Sequence, residues 1–335
     1  LGLIFTPRQE DPQISVPMID IFVQYPGASA DQVASLVTEP LERIMYQIPG
    51  VRHVYSASQR GQAMVTVRFV VGEPLGPSIV KVHDKLQSNL DKIPPGVSMP
   101  LVKPKGIDDV PVVTVTLSSD GVDDAALRTL GMDVLQKLRE VPDSGQGFVV
   151  GGRKEQVRVE VVPERLAGYG LTLDNLAQAI NAANQQQQAG SVESSNAAFS
   201  VYTGAFLRTA DEISRLVVGS RGGLPVYVKD IANVIHGPEE ARQLVTFYTG
   251  QSADENEPPA GGESAVTIAL AKKEGTNGVT VANDILDKLE LLRGHLIPDN
   301  VRVTITRDYG KTANDKVNEL LMALFEAAGA VTILC

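Results

Sequence analysis

The sequence predicts an α+β fold built from two ferredoxin-like βαββαβ sandwich subdomains, the second interrupted by an α+β insertion. Three observations carry this reading. Over residues 14–105 strand-like and helix-like runs follow in the order strand, helix, strand, strand, helix, strand, which is the split βαβ arrangement that buries one face of an antiparallel sheet under two helices. The same order restarts at Val110. The ending of the first copy's second helix, Lys85-Leu86 and then Ile93-Pro-Pro-Gly-Val97, is echoed far downstream by Lys288-Leu289 and Ile297-Pro-Asp-Asn-Val301, as expected of an internal repeat split by a guest segment.

Taken in order, residues 14–25 are rich in Val, Ile and Phe with partial alternation, as a half-buried strand should be. Ser29 with Gln32 three residues on gives a capping-box start, and Val33, Leu36, Val37, Leu41, Ile44 and Met45 follow at helical spacing. Pro40 interrupts that helix; it predicts a kink, or else a helix that restarts with proline in its first turn. "VRHVYSAS" and "MVTVRFVV" read as strands joined by the turn-like Gln59-Arg-Gly-Gln62. A second helix places Ile79, Val82, Leu86 and Leu90 on one face and closes at Ile93-Pro-Pro-Gly.

In the second copy "VPVVTVTLSS" is the first strand, and Asp123 opens a helix carrying Leu127, Leu130, Val134, Leu135 and Leu138. "FVVGGR" and "VRVEVVP" are read as the next two strands, and the missing helix and last strand are found in "VTVANDILDKLELLRGHLIPDNVRVTI". The insertion, residues 169–251, contains a helix from Thr172 that fades into glutamines, a strand "AAFSVYTGAFL", a short helix "ADEISRLVV" and a strand and turn "LPVYVKDIANVIHG". Residues 252–262, "SADENEPPAGG", have the composition of a flexible loop.

A chain of 335 residues exceeds what one hydrophobic core usually serves, and 43% apolar with 21% charged residues is ordinary globular composition. The net charge of −10, with Lys and Arg scattered, leaves no footprint for a phosphate backbone, so nucleic acid is not expected as a partner. The single cysteine, Cys335, offers neither a disulfide framework nor a thiolate metal site. The first five residues, "LGLIF", do not resemble a signal peptide. The run "LLMALFEAAGAVTILC" is apolar except for Glu326; it reads either as a buried amphipathic helix or as part of a cut transmembrane helix, a full span needing roughly 20 residues.

Catalytic constellations are scarce. His53, His83, His236 and His295 stand apart, with no carboxylate at metal-ligand spacing. Ser118, Ser119 and Asp120 lack a histidine partner, and Asp108-Asp109 and Asp123-Asp124 sit where aspartate caps helices and turns. Gly151-Gly152 and the glycines at 72 and 76 lack the context of a phosphate-binding loop. Neither a cofactor nor a bound metal is expected, and the residues alone describe a non-enzymatic α+β chain.

A resemblance sharpens this. "TPRQEDPQISVPMIDIFVQYPGASADQVASLVTEPLERIMYQIPGVRHVYSAS" resembles the start of the first large periplasmic loop of resistance-nodulation-division (RND) efflux permeases of the hydrophobe-amphiphile-efflux type, and "KLQSNLDKIPPGV", "LPVYVKDIANV" and "VNELLMALFEA" are similar to later parts of it. The resemblance implies that 14–105 is a first porter subdomain, 110–163 with 264–307 a second, 169–251 a docking subdomain, 252–262 a flexible loop and 317–335 the start of a truncated transmembrane helix. It further implies an inner-membrane, proton-driven homotrimer whose loop stands in the periplasm of a Gram-negative bacterium. Its partners would be a hydrophobic or amphiphilic small-molecule substrate, a periplasmic adaptor protein and an outer-membrane channel, and this segment would not transport alone.

The resemblance also carries over a substrate pocket, at Val110, Val113, Val150, Leu244, Val245, Thr246 and Arg307. Aliphatic side chains stand there in place of the phenylalanines of drug-exporting members, and Arg307 in place of an aromatic; the valines read equally as sheet core. No clustered methionine suggests a metal substrate. The candidate docking hairpin, residues 190–207, is short and polar at its front, so weak trimer locking is expected. The competing readings are a soluble scaffold or ligand-binding protein of duplicated ferredoxin-like units, and an enzyme using Asp108 or Asp109 in a cleft.

Overall fold

A computed structural model describes residues 8–9, 14–194, 197–203, 206–241, 243–251 and 259–334. The expectations for residues 1–5, for Cys335 and for most of the 252–262 loop lie outside the described residues. The chain divides into two compact units, one holding both sandwiches, the other residues 151–245 with 123–129.

The first sandwich is an antiparallel sheet of β1 (Met18–Gln24), β2 (Val51–Gln59), β3 (Gln62–Phe69) and β4 (Leu101–Lys105), in spatial order β2-β3-β1-β4. Alternation places Ile19, Ile21 and Val23 of β1 and Val65, Val67 and Phe69 of β3 on the helix side, all nearly or fully buried. They pack with Val33, Val37, Ile44 and Met45 and with Val82 and Leu86 of α3 (Leu75–Gln87) as one core.

The proline in the first helix is accommodated by a change of helical register. After α1 (Ala30–Val33), opened by the predicted Ser29–Gln32 capping box, residues Ala34–Thr38 form a π turn, and α2 (Glu39–Met45) restarts with Pro40 in its first turn. The Glu39 N–H reaches back five residues to the Ala34 carbonyl, so the position where proline offers no donor coincides with a turn whose bonding is already shifted. The buried Thr38 hydroxyl lies 2.8 Å from Ser58 Oγ and donates to the Val33 carbonyl at 3.3 Å, fixing the turn to β2.

The second sandwich repeats the topology. β5 (Val113–Ser119), β6 (Ser144–Val150), β14 (Gly261–Lys272) and β15 (Arg302–Asp308) lie in the order β6-β14-β5-β15, again second, third, first, fourth. It is covered by α4 (Asp124–Leu138) and α9 (Gly278–Leu292), and β13 (Thr246–Tyr248) pairs with β14 beyond the end of β6. One expectation is corrected here. The third strand is β14, not "VRVEVVP": the latter, β7 (Glu155–Val161), pairs instead with β12 (Ala232–Pro238) in the other unit. Its Val157, Val159 and Val161 pack against the core of that unit, with Ile213, Val226 and Ile231 at its centre.

The second unit contains α5 (Pro163–Gly168), α6 (Leu173–Ala183), a β8 (Gln187–Ser194) and β9 (Ala197–Thr203) hairpin, α7 (Ala210–Ser214), β10 (Val217–Arg221), β11 (Leu224–Tyr227) and α8 (Val228–Ile231). The chain ends in α10 (Tyr309–Leu334), anchored at the buried Ala313, whereas Leu320, Met322 and Phe325 are exposed. Among the described residues no helix is long and apolar enough to cross a membrane.

Candidate functional site

The site is the face of the second sheet opposite its helices, open at its flanks, whereas Thr116 and Ser118 of β5 and Ala265 and Ala269 of β14 at its centre are buried. On β5 the valines and leucine at 113, 115 and 117 turn toward the helices and are buried, so Thr114, Thr116 and Ser118 must line the other face. The pairing registers bring Thr267 of β14 and Thr304 of β15 opposite Thr116. Thr306 shares the face of Thr304 by strand alternation, and a bulge between Ile305 and Arg307 brings Arg307 opposite Thr114. The Thr306 hydroxyl lies 2.9 Å from that of Thr114 and 3.2 Å from that of Thr116, which in turn lies 2.9 Å from Thr267 Oγ1. The result is a continuous ladder of hydroxyls across three strands.

Charge and aromatic rings frame the ladder. Glu263 accepts from Ser118 at 3.2 Å and from Arg302 at 3.3 Å, and the Arg302 guanidinium lies 5.7 Å from the Phe247 ring centre. Arg307, exposed on β15 opposite Thr114, stands 4.7 Å over the Tyr309 ring. Such contacts hold a guanidinium flat on a ring while leaving its edge donors available. On β6, Val150 opposite Thr267 and Phe148 opposite Ala269 share the open face, exposed by 40% and 49%.

The positions named from the sequence fall into three groups. Val150 and Thr246 lie on the same edge of β14, but Val150 opposes Thr267 on the site's face whereas Thr246 opposes Ser264 on the helix side, and Arg307 lies on β15 at the far side of the sheet, about 14 Å from β6 at the usual strand spacing. Val113 is 1% exposed against the helices, so its side chain is core and reaches no ligand on the open face; Val110 is half-buried and lines a small cavity with Val112, Lys272 and Tyr309. Leu244, 81% exposed, and Val245 belong to the other compact unit. Sequence reasoning missed Phe148 and Phe247. Phe148 was legible, because in "FVV" a strand period of two puts it on the face of Val150.

The titratable groups held away from their usual range lie elsewhere. Hydrogen bonds from Arg153 hold the Asp124 carboxyl low, those from Lys137 and Lys288 do so for Glu140, and the backbone N–H groups of Arg208 and Thr209 do so for Glu212. Each is a carboxylate stabilised in its charged form, the signature of structural pairing rather than of a group poised to exchange protons near neutrality. Among the described residues no group of three or more His, Cys, Asp or Glu side chains could hold a metal ion. The face can hold a molecule by hydrogen bonding, stacking and charge, without covalent chemistry.

The sequence pattern of the AcrB/AcrD/AcrF family matches residues 1–335. Proteins named "Multidrug resistance protein MdtC" from Yersinia pseudotuberculosis serotype O:1b (strain IP 31758) and Yersinia pestis bv. Antiqua (strain Angola) are each 28% identical over 336 residues, covering 100% of this chain. The chain spans 31% of the length of these relatives.

Proposed function

The chain belongs to the AcrB/AcrD/AcrF family, and on that premise we propose that it is the porter and docking part of the periplasmic region of a proton-driven RND efflux transporter. The observation that carries the reading is the repeated sandwich. Two sheets share one strand order, and the second leaves its face open with Val150, Phe148 and Arg307 displayed around a hydroxyl ladder. Rigid sandwiches joined by a short linker suit a pump that alternately opens and closes around its cargo.

The cargo is a hydrophobic or amphiphilic small molecule. Val150, Thr246 and Arg307 form the part of its path that this chain supplies, with Val110 beside it and Val113 as the core position beneath. An apolar body would lie against Phe148 and Val150, and a polar or anionic head would meet the Thr306 hydroxyl and Arg307 at the exposed edge. Leu244 and Val245 are assigned to the path as well. The transporter is a homotrimer in the inner membrane of a Gram-negative bacterium, meeting a periplasmic adaptor and an outer-membrane channel through the docking part, residues 169–251. The exposed Leu320, Met322 and Phe325 support reading residues 317–335 as the start of a membrane helix. No enzymatic step is assigned to the chain, and alone it would not transport.

The test is expression of the complete reading frame in a Gram-negative host stripped of its own efflux permeases. Accumulation of an amphiphilic dye should fall, and collapsing the proton gradient should restore it. Unchanged accumulation with the protein present in the membrane refutes the reading.

A further inference from the structure

The internal repeat gives the chain a second sheet face that no helix covers. In the first sandwich the helices pack on the side of Ile19, Ile21, Val65 and Val67, so alternation turns Asp20 and Phe22 of β1, Met64 and Arg68 of β3, and Leu101 and Lys103 of β4 to the other side. The pairing registers set Asp20 opposite Lys103, and Phe22 between Met64 and Leu101. The corresponding face of the second sheet displays hydroxyls. This one displays cations beside an apolar strip.

One acid sits among the cations, and it is already matched. Asp20 is 1% exposed; one carboxylate oxygen accepts from the Thr66 hydroxyl at 2.6 Å, and the other lies 2.5 Å from the Lys105 ammonium. A carboxylate shut away from water keeps its counter-ion, so this pair neutralises itself and the remaining charge of the face is set by Lys103 and Arg68. Among the described residues neither has a carboxylate partner. Lys103 is exposed, and its ammonium lies 5.6 Å from the Phe22 ring centre, a contact that leaves its N–H donors available. Arg68 is half-buried on the far side of β1, about 10 Å across the sheet at the usual strand spacing. On a chain whose net charge is −10, this face is locally positive.

We propose that the uncovered face of the first sheet is a binding site for an amphiphilic anion, a ring body bearing a carboxylate or sulfonate. The ring body lies on Phe22, Met64 and the exposed Leu101, and Lys103 and Arg68 meet the head as charge-assisted donors. The cations without partners select an anion over a cation of the same shape, and the apolar strip selects an amphiphile over a simple ion. The proposal concerns binding by this chain alone, stands whether or not the chain serves a transporter, and gives no part to Arg307 on the second sheet.

Pyrene-1-sulfonate and 1-pyrenemethylammonium present one ring body with opposite heads, and fluorescence anisotropy reads the binding of each to the purified chain. The net charge of −10 by itself favours the ammonium probe, so tighter binding of the sulfonate reports a local site. The sulfonate should bind about threefold to tenfold tighter at low salt, and the advantage should shrink as salt is added. Lys103→Met, at an exposed side chain, should reduce the preference without disturbing the fold, adding Arg68→Gln should abolish it, and Arg307→Gln should leave it intact. With isotope-labelled methionine methyl groups, the Met64 resonance should move on addition of the sulfonate, and that of Met132, exposed on α4, should not. Equal binding of the two probes, a preference that survives the double variant or vanishes with Arg307→Gln, or a silent Met64 methyl overturns the proposal.

Discussion

Asp124 and Arg153 meet in a two-pronged ion pair: Arg153 Nε lies 2.9 Å from both carboxylate oxygens, and Nη2 lies 2.6 Å from Oδ1. The acid is the first residue of α4, where a negative charge also complements the helix dipole. The hydrogen bond from Arg153 is the main reason that the Asp124 carboxyl sits below its usual range, against the opposing effect of burial. A lowered folded-state value means that the unfolded chain takes up the proton first. The stabilisation is therefore complete well above the unfolded value of about 3.9 and is lost as pH falls below it. Arg153→Met should lower stability modestly at pH 7, because both side chains are partly exposed and water screens the pair. The difference in urea midpoint between parent and variant should shrink below about pH 4; a difference independent of pH would assign the loss to packing instead.

The π turn makes different predictions for Thr38 and Pro40, two residues apart. Thr38→Val removes a buried hydroxyl that bonds both Ser58 and the Val33 carbonyl, and should lower stability by about 1 to 2 kcal/mol. Adding Ser58→Ala should cost little more, since its partner is already gone. Pro40→Ala should change stability by less than about 1 kcal/mol, because the first turn of a helix tolerates proline, whereas a proline in an uninterrupted helix would cost about 3 kcal/mol. Denaturant melts of the three variants distinguish these cases.

Why the sequence disclosed one sandwich fully and the other only in part follows from which strands are central. β1 and β3 bury one face strongly, and their valines and isoleucines alternate visibly. β14, in the middle of the second sheet, has Ala265, Val266, Ile268, Ala269, Leu270 and Ala271 buried on both faces, so it reads as a continuous apolar run without a period. "VRVEVVP" alternates well and took its place in the reading, although alternation says only that a strand is half-buried and not against which sheet. The open-face site suffered from the same ambiguity. Val113 and Val150 are both valines in strands, and only the register, which sets Val113 toward the helices and Val150 away from them, separates core from surface. The hydroxyl ladder was illegible because its members come from β5, β14 and β15, whose adjacency depends on the pairing.

Gly310 admits α10 against α9. A methyl group added there would stand 2.4 Å from the Cβ of Ala282, which is fully buried, and 3.3 Å from the Gly278 carbonyl. The nearest obstacle is another helix's Cβ, close to the backbone and unable to swing aside, so Gly310→Ala should cost about 1 to 3 kcal/mol in a thermal or urea melt. Ala282→Gly should relieve the clash. The double variant should therefore be more stable than the sum of the single losses predicts, and strict additivity would show that the helices part freely at this point.

The transport reading makes its sharpest prediction at Val150. The side chain stands on the open face beside Phe148, and as a partly exposed strand position it should accept phenylalanine with a stability change within about 0.5 kcal/mol. A second ring next to Phe148 would offer a stacking surface worth about 0.5 to 1.5 kcal/mol to a flat aromatic compound, roughly twofold to tenfold in binding. In cells expressing the complete transporter, Val150→Phe should shift the concentration dependence of efflux for a planar dye toward lower values, while leaving that for an aliphatic detergent unchanged. The control lies in Val113, whose side chain is buried against the helices. Val113→Phe should unsettle the core and lower stability without the selective effect. If both substitutions altered planar and aliphatic compounds alike, the open face would not be part of the substrate path.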